Sequence, residues 1–331
     1  MNDQAFDRRR FLGIAAAGAV LGAAACSTTA APASHAGELP PAPPPRDFIT
    51  WHEFPLVGLS PVATALATDA AGRVWYADYT HRTVVRVDPT AGSTTEFVTG
   101  DVVARLCPTP DGRVWFSSAF TDRIGVLDPA TGSVAWFAAP DSQAMLTPSS
   151  TGELWFDDPK HGGVARIDAS GVITSVSAPG SPTVSSLAGA VDGTIWFATD
   201  GSADLTRYDP LAGSFTTVRT ALAEITGLAA TPAGAVWAAG PGALQRFALD
   251  GSVTGTAVLP PGAALPRMLV AGVHAELFFR VTDLGIGRVN PDHSLTFMLP
   301  PFERAAPMGL AVTPAGSVWF LHRFRETLGW F

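Results

Sequence analysis

One aromatic position returns along this chain at an almost fixed interval. Trp75, Trp115, Trp155, Trp196, Trp237, Phe278 and Trp319 are separated by 40, 40, 41, 41, 41 and 41 residues. So regular a repeat constrains the fold strongly. Each copy is one supersecondary unit that cannot bury its own faces and must stack on its neighbours. Within a copy, apolar and polar positions alternate with period two, as Val84 and Arg86 do against Val85 and Val87. This alternation indicates strands rather than helix. A period near 40 then corresponds to four strands per unit, and seven units predict an all-β, seven-bladed β-propeller of four-stranded antiparallel blades.

The punctuation agrees with that reading. A Gly stands just before each Val-Trp step, as in "DGRVWF" (111–116), where a tight turn between the first two strands needs a positive φ. Asp-Pro after the third strand, as at Asp88-Pro89 and Asp128-Pro129, ends the pairing because Pro has no N–H for the ladder. With 33 Gly and 28 Pro the chain has the turn residues that many short strands require. The last copy stops at Phe331 after its third strand, while an orphan strand, "FITWHEFPL" (48–56), precedes the first copy. Closing the ring with that segment as the missing fourth strand removes two exposed sheet edges. Residues 48–331 are therefore expected to form one ring without a second domain.

Residues 1–26 read as an address. "DRRRFLGIAAAGAVLGAAAC" has a basic start and an apolar stretch from Phe11 to Ala25, short of the roughly 20 residues that span a bilayer and suited to a secretory signal. Arg8-Arg9-x-Phe11-Leu12 resembles the twin-arginine export motif. The small residues before Cys26 resemble a lipoprotein cleavage box, although Ala23 stands where Leu is usual. Lipidation at Cys26 and plain cleavage farther on, for instance after Ala36, both remain open. Residues 27–47 form a Pro/Ala-rich linker. The expected location is extracytoplasmic, as a membrane-anchored lipoprotein or a secreted protein. A net charge of −8, without a basic run past the leader, argues against nucleic acid as a partner. Cys26 and Cys107 make no disulfide framework, and Cys107 reads as a small buried hydrophobe.

The phrases "GRVWF…RIGVLDP" and "AELFF…GIGRVNP" resemble the repeats of the streptogramin B lyase (virginiamycin B lyase) family, a seven-bladed propeller, over residues 48–331. The resemblance implies a magnesium-assisted elimination that opens a cyclic ester, performed by two His and two Glu on blades six and seven. Carried onto this chain, the His positions fall at Arg267 and Met308. The Glu positions fall at Ala306 and at His322 or Arg323. Arg cannot release its proton, Met cannot take one, and Ala does neither. The elimination is thus not supported, and a divalent cation (Mg or Ca) enters only by family analogy.

In a propeller the connections between fourth and first strands and between second and third strands crowd around one mouth of the channel. Counted from the anchors, that mouth receives Asp78, Tyr79, Asp158, Glu224, Arg267, His322 and Arg323, the candidate ligand-binding residues. Carboxylates lie on blades one, three, four (Asp200) and five and cations on blades six and seven, where Arg267, His322 and Arg323 suit an anionic group held against low-dielectric walls. The alternative is that these charges pair with one another or are hydrated. No HExxH, GxSxG, CxxC or P-loop occurs. The functional expectation is an exported, lipid-anchored, monomeric binding or interaction module whose partner is a small molecule or a cell-surface protein. The alternative is a divergent lyase-like or lactonase-like enzyme acting on a cyclic ester.

Overall fold

The repeated phrase becomes a repeated sheet. In the computed structural model, which describes residues 50–58, 62–139, 141, 143–168, 170–273, 275–282, 284–298, 307–322 and 326–331, there are twenty-eight strands and no helix among the described residues. They form seven four-stranded antiparallel sheets. Blade one is Ala63–Thr68, Val74–Asp78, Thr83–Asp88 and Ser93–Val98. Blade two is Val103–Pro108, Val114–Ser118, Arg123–Asp128 and Ser133–Ala138. The innermost strands of blades three to seven are Leu146–Pro148, Val184–Gly189, Gly227–Thr231, Arg267–Ala271 and Pro307–Val312. Each innermost strand packs beside the next, and that of blade seven packs beside that of blade one, so the circuit closes.

The opening segment closes it as expected. His52–Pro55 pairs antiparallel with Thr327–Trp330, from His52 opposite Trp330 to Pro55 opposite Thr327. It becomes the outer strand of blade seven. Trp51 meets Phe320 and Phe331 edge-on at 5.0 and 4.8 Å. Past the strand, Val57 N–H donates to the buried Tyr76 hydroxyl at 2.9 Å, tying the segment to blade one. Across the seam, Thr68 Oγ1 donates to Val312 O at 2.6 Å.

The anchors explain why the period persists. Six Trp side chains are no more than 2% exposed, each contributing a large share of apolar burial between neighbouring sheets. Trp75 Nε1 donates to Asp69 at 2.8 Å and Trp196 Nε1 to Thr194 at 3.0 Å. Trp75, Trp155, Trp196, Trp237 and Phe278 each face an Arg across the strand pair: Arg86, Arg166, Arg207, Arg246 and Arg288. Gly72 and Gly112 take φ of +80° and +85° in the first turn of their blades, as the turn requires. Asp88 Oδ1 and Asp128 Oδ1 accept N–H groups from the turn that follows, Thr90 at 3.0 Å and Ala130 at 2.9 Å. Cys107 is buried and free, and burial pushes its thiol up to about 12.

Candidate functional site at the channel mouth

The loops between second and third strands are built by one device, varied from blade to blade. In blade one Asp78 ends the second strand and is 1% exposed. Its Oδ1 accepts the Thr80 N–H at 2.8 Å, and its Oδ2 lies 2.7 Å from His81 Nδ1. Blade three repeats this with Asp158, also 1% exposed, whose Oδ2 lies 2.7 Å from His161 Nδ1. Blade two has Ser118 there, and the carboxylate comes from the preceding loop. Asp101 Oδ2 accepts from Ser118 at 2.9 Å, Thr121 at 2.8 Å and Arg123 at 2.8 Å. Burial raises the Asp101 carboxyl, and the hydrogen bonds from Thr121, Ser118, Val102 and Arg123 outweigh it, leaving it below the ordinary range. Asp158 thus spends its oxygens on its own turn, and Asp78 on its own turn and the Val62 N–H of the preceding loop, with the imidazole rings of His81 and His161 on the solvent side. The spacing Asp-x-x-His, present in both blades, is the sequence signal for this pairing.

A recessed cation sits inside the mouth at a position the anchor count passes over. Arg105 lies on the innermost strand of blade two, one residue beyond a bulge between Val103 and Arg105. Its side chain is exposed by area, yet protein crowds it. That desolvation holds the guanidinium below its ordinary range, against the opposing pull of Asp157. Its Nε donates to Gln143 O at 3.3 Å. Gln143 holds a left-handed backbone at φ +60°, donates its N–H to Ser118 O at 2.7 Å and its Nε2 to Ala119 O at 3.2 Å. A non-Gly residue held in this region is strained, and such strain concentrates where a loop is held for a purpose. Next to Ala119, Phe120 is 48% exposed and meets Tyr79 of blade one edge-on at 6.3 Å. On blade three, burial raises the Asp157 carboxyl, although Met145 N–H donates to its Oδ1 at 2.6 Å.

The opposite side of the mouth belongs to blades six and seven. Arg267 opens its strand, is exposed, and stands opposite Arg280. Met308 is 37% exposed beside a bulge between Pro307 and Leu310. His322 ends the second strand of blade seven, but its side chain is only 4% exposed. The ring lies edge-on to Phe320 at 4.9 Å, with Nε2 3.9 Å from Glu53 Oε1. Glu224 is exposed in the loop before the innermost strand of blade five. Arg323, Ala306, Cys26, Arg8 and Arg9 lie outside the described residues.

These residues do not fit the magnesium that the family resemblance implies. Mg²⁺ takes hard oxygen ligands. Arg267 has no lone pair to offer, and the Met308 thioether is a soft donor. Among the described residues no group of three or more His, Cys, Asp or Glu could hold a metal ion. No helix among them is long and apolar enough to cross a membrane.

No curated protein matches the chain in sequence. Several solved structures share its fold. A streptogramin B lyase has 21% identity and a TM-score of 0.73, covering 85% of this chain and 96% of its own. The virginiamycin B lyase of Staphylococcus aureus has 20% identity and a TM-score of 0.73, covering 85% and 98%. The extracellular domain of a putative hybrid two-component system from B. thetaiotaomicron has 13% identity and a TM-score of 0.67, covering 86% of this chain and 43% of its own. The pattern described as the virginiamycin B lyase family matches residues 144–330, more than half of the sequence. The chain belongs to the virginiamycin B lyase family.

Proposed function

We propose that this protein is an exported ligand-binding propeller, which uses the channel mouth to hold a small polar molecule and does not perform the elimination implied by its relatives. The observation that carries this reading is the state of His322. Of the positions corresponding to the family's acid–base set, only this one bears an imidazole among the described residues, and it is buried against Phe320 and Glu53. A general base must come within hydrogen-bond reach of the proton it takes. Arg267 and Met308 at the other positions do not accept protons. What is left on the rim is charge, aromatic surface and backbone, which suits binding.

In this reading the leader with Arg8 and Arg9 delivers the protein outside the cytoplasm, a lipid on Cys26 anchors it, and residues 27–47 space the ring from the membrane. Replacing Cys26 by Ser then releases the protein to the soluble fraction. A variant that stays with the membrane removes the anchor from the account.

The test of the function is made on the purified protein with Mg²⁺ and a streptogramin B antibiotic or a sugar lactone. The substrate stays intact by mass spectrometry, while a panel of small carboxylates, phosphates and zwitterions contains a member that raises the melting temperature. Ring opening that disappears in His322→Ala establishes the enzyme reading instead. A panel without a single stabilising member removes the binding reading.

A further inference from the structure

The mouth between blades two and three carries a more specific chemistry. Arg105 donates through Nε to Gln143 O, while its Nη atoms have no acceptor among the described residues. Asp157 on blade three acts on it electrostatically but forms no ion pair with it among the described residues. One carboxylate oxygen of Asp157 takes the Met145 N–H, and a carboxylate offers about four acceptor sites in all. Through Gln143 O and Met145 N–H, a cation and an anion thus hold one loop at points two residues apart and flank the same space without closing on each other. Gln143 ties that space to the neighbouring loop, because it holds both Arg105 and Ala119. Beyond Ala119 stands Phe120, with Tyr79 against its edge.

We infer that this corner of the mouth binds an aromatic α-amino acid as its zwitterion, with the carboxylate on the Arg105 guanidinium, the ammonium on Asp157 and the ring against Phe120 and Tyr79. The inference rests on the reading of the mouth as a binding surface and names its ligand. A simple anion would satisfy Arg105 and be repelled by Asp157. A simple cation would meet the reverse. A ligand that carries both charges on groups attached to one carbon satisfies each without bringing a net charge into a crowded, poorly solvated corner. The planar Arg fork suits a carboxylate, and an aromatic ring seated edge-on or offset gains from the half-exposed Phe120 ring. Gln143, locked in its left-handed backbone, keeps Arg105 and the aromatic loop at a fixed separation.

Isothermal titration of the full chain with L-phenylalanine tests this directly, with 3-phenylpropionate (no amine) and phenethylamine (no carboxylate) as the two half-ligands. Phenylalanine binds, and each half-ligand binds at least about tenfold more weakly, the scale of one lost charged hydrogen bond. Arg105→Leu and Asp157→Asn each abolish measurable binding, while Arg105→Lys, which keeps the charge and loses the fork, retains a weakened part of it. Circular dichroism melts confirm that each variant is folded, and the graded Lys variant keeps the test valid if the Leu variant is not. Half-ligands that bind as well as phenylalanine overturn the inference. So does binding that survives both Arg105→Leu and Asp157→Asn. If phenylalanine gives no heat while another member of the stabilising panel does, this inference falls and the broader binding reading stands; if no member binds, both fall.

Discussion

Replacing Gly125 by Ala perturbs blade two by a single methyl group, and the structure says where that group would go. Gly125 lies on the third strand directly opposite Phe116. A Cβ built on Gly125 would stand 2.2, 2.7 and 2.9 Å from three carbons of the Phe116 ring. Carbon atoms in contact sit about 3.5–4.0 Å apart, so the ring would have to withdraw by more than an ångström. It has nowhere to go, being fully buried with Trp136 edge-on at 5.0 Å. Overpacking of this kind costs about 1–3 kcal/mol. Because Gly125 is not in the positive-φ region, Ala recovers about 0.4–1 kcal/mol through the unfolded chain. The net loss is roughly 1–2 kcal/mol, which for a ring of about 280 residues lowers the melting temperature by about 2–4 °C. Blades six and seven repeat the arrangement, with Gly287 under Phe279 at 2.3 Å and Gly329 under Phe320 at 2.1 Å. Calorimetry on Gly125→Ala, Phe116→Leu and the double variant separates a clash from a general loss, since shrinking the ring relieves the inserted methyl and gives a coupling of about 0.5–3 kcal/mol. Gly72→Ala is the contrast. Nothing lies within 4 Å of its Cβ, but its φ is +80°, so its cost of about 1–2 kcal/mol comes from the backbone and does not couple to Phe116. If Gly125→Ala melts at or above the parent temperature, or if the cycle shows no coupling, Gly125 is not the seat that the Phe116 ring requires.

Other expectations follow from burial and closure. The Cys107 thiol and the Tyr76 hydroxyl are both raised to about 12, mainly by burial. The unfolded chain therefore loses these protons first, and above pH 9 unfolding free energy drops by about 1.4 kcal/mol per pH unit for Cys107 alone. Urea titrations between pH 8 and 11 show this slope, and Cys107→Ala reduces it. Phe54→Ala, which trims the closing strand where it packs on Trp319, destabilises by about 2–4 kcal/mol and increases hydrogen exchange in Thr327–Trp330 before the other blades. Asp158→Ala removes the acceptor from the turn at His161. It costs about 1–3 kcal/mol and opens the loop at 159–162 to limited proteolysis.

The ring was legible in the sequence because its cause is the same in every blade. One large aromatic residue is buried at each inter-sheet contact, and two-residue alternation on either side of it announces strands. The closing strand was legible for a related reason, since a copy lacking its fourth strand and a strand lacking its copy stand at opposite ends of the chain. The mouth was harder to read. Counting from the anchors located Asp78 and Asp158 at the correct loop but not the direction of their carboxylates, because a turn can fold an Asp back onto its own N–H groups. Arg105 was passed over because the bulge between Val103 and Arg105 inserts one residue into the strand. A bulge breaks the two-residue phase and re-aims a side chain, and no composition or spacing marks it. The same irregularity occurs at the mouth end of the innermost strands of blades one, four, six and seven.

That distribution has a consequence for how the ring divides its labour. The mouth ends of the innermost strands are where pairing is interrupted, whereas the first turns at the other end keep a tight Gly geometry in blade after blade. Stability comes from anchors buried between sheets, so a side chain at a bulged mouth position can change without loosening a blade. Arg267 and Met308 occupy such positions on blades six and seven, and Arg105 does so on blade two. Substitution at the first two therefore leaves the ring intact. In the proposed binding reading, the same freedom lets blades two and three carry recognition, where Arg105 and Ala119 are joined through Gln143 and Phe120 stands next to Ala119.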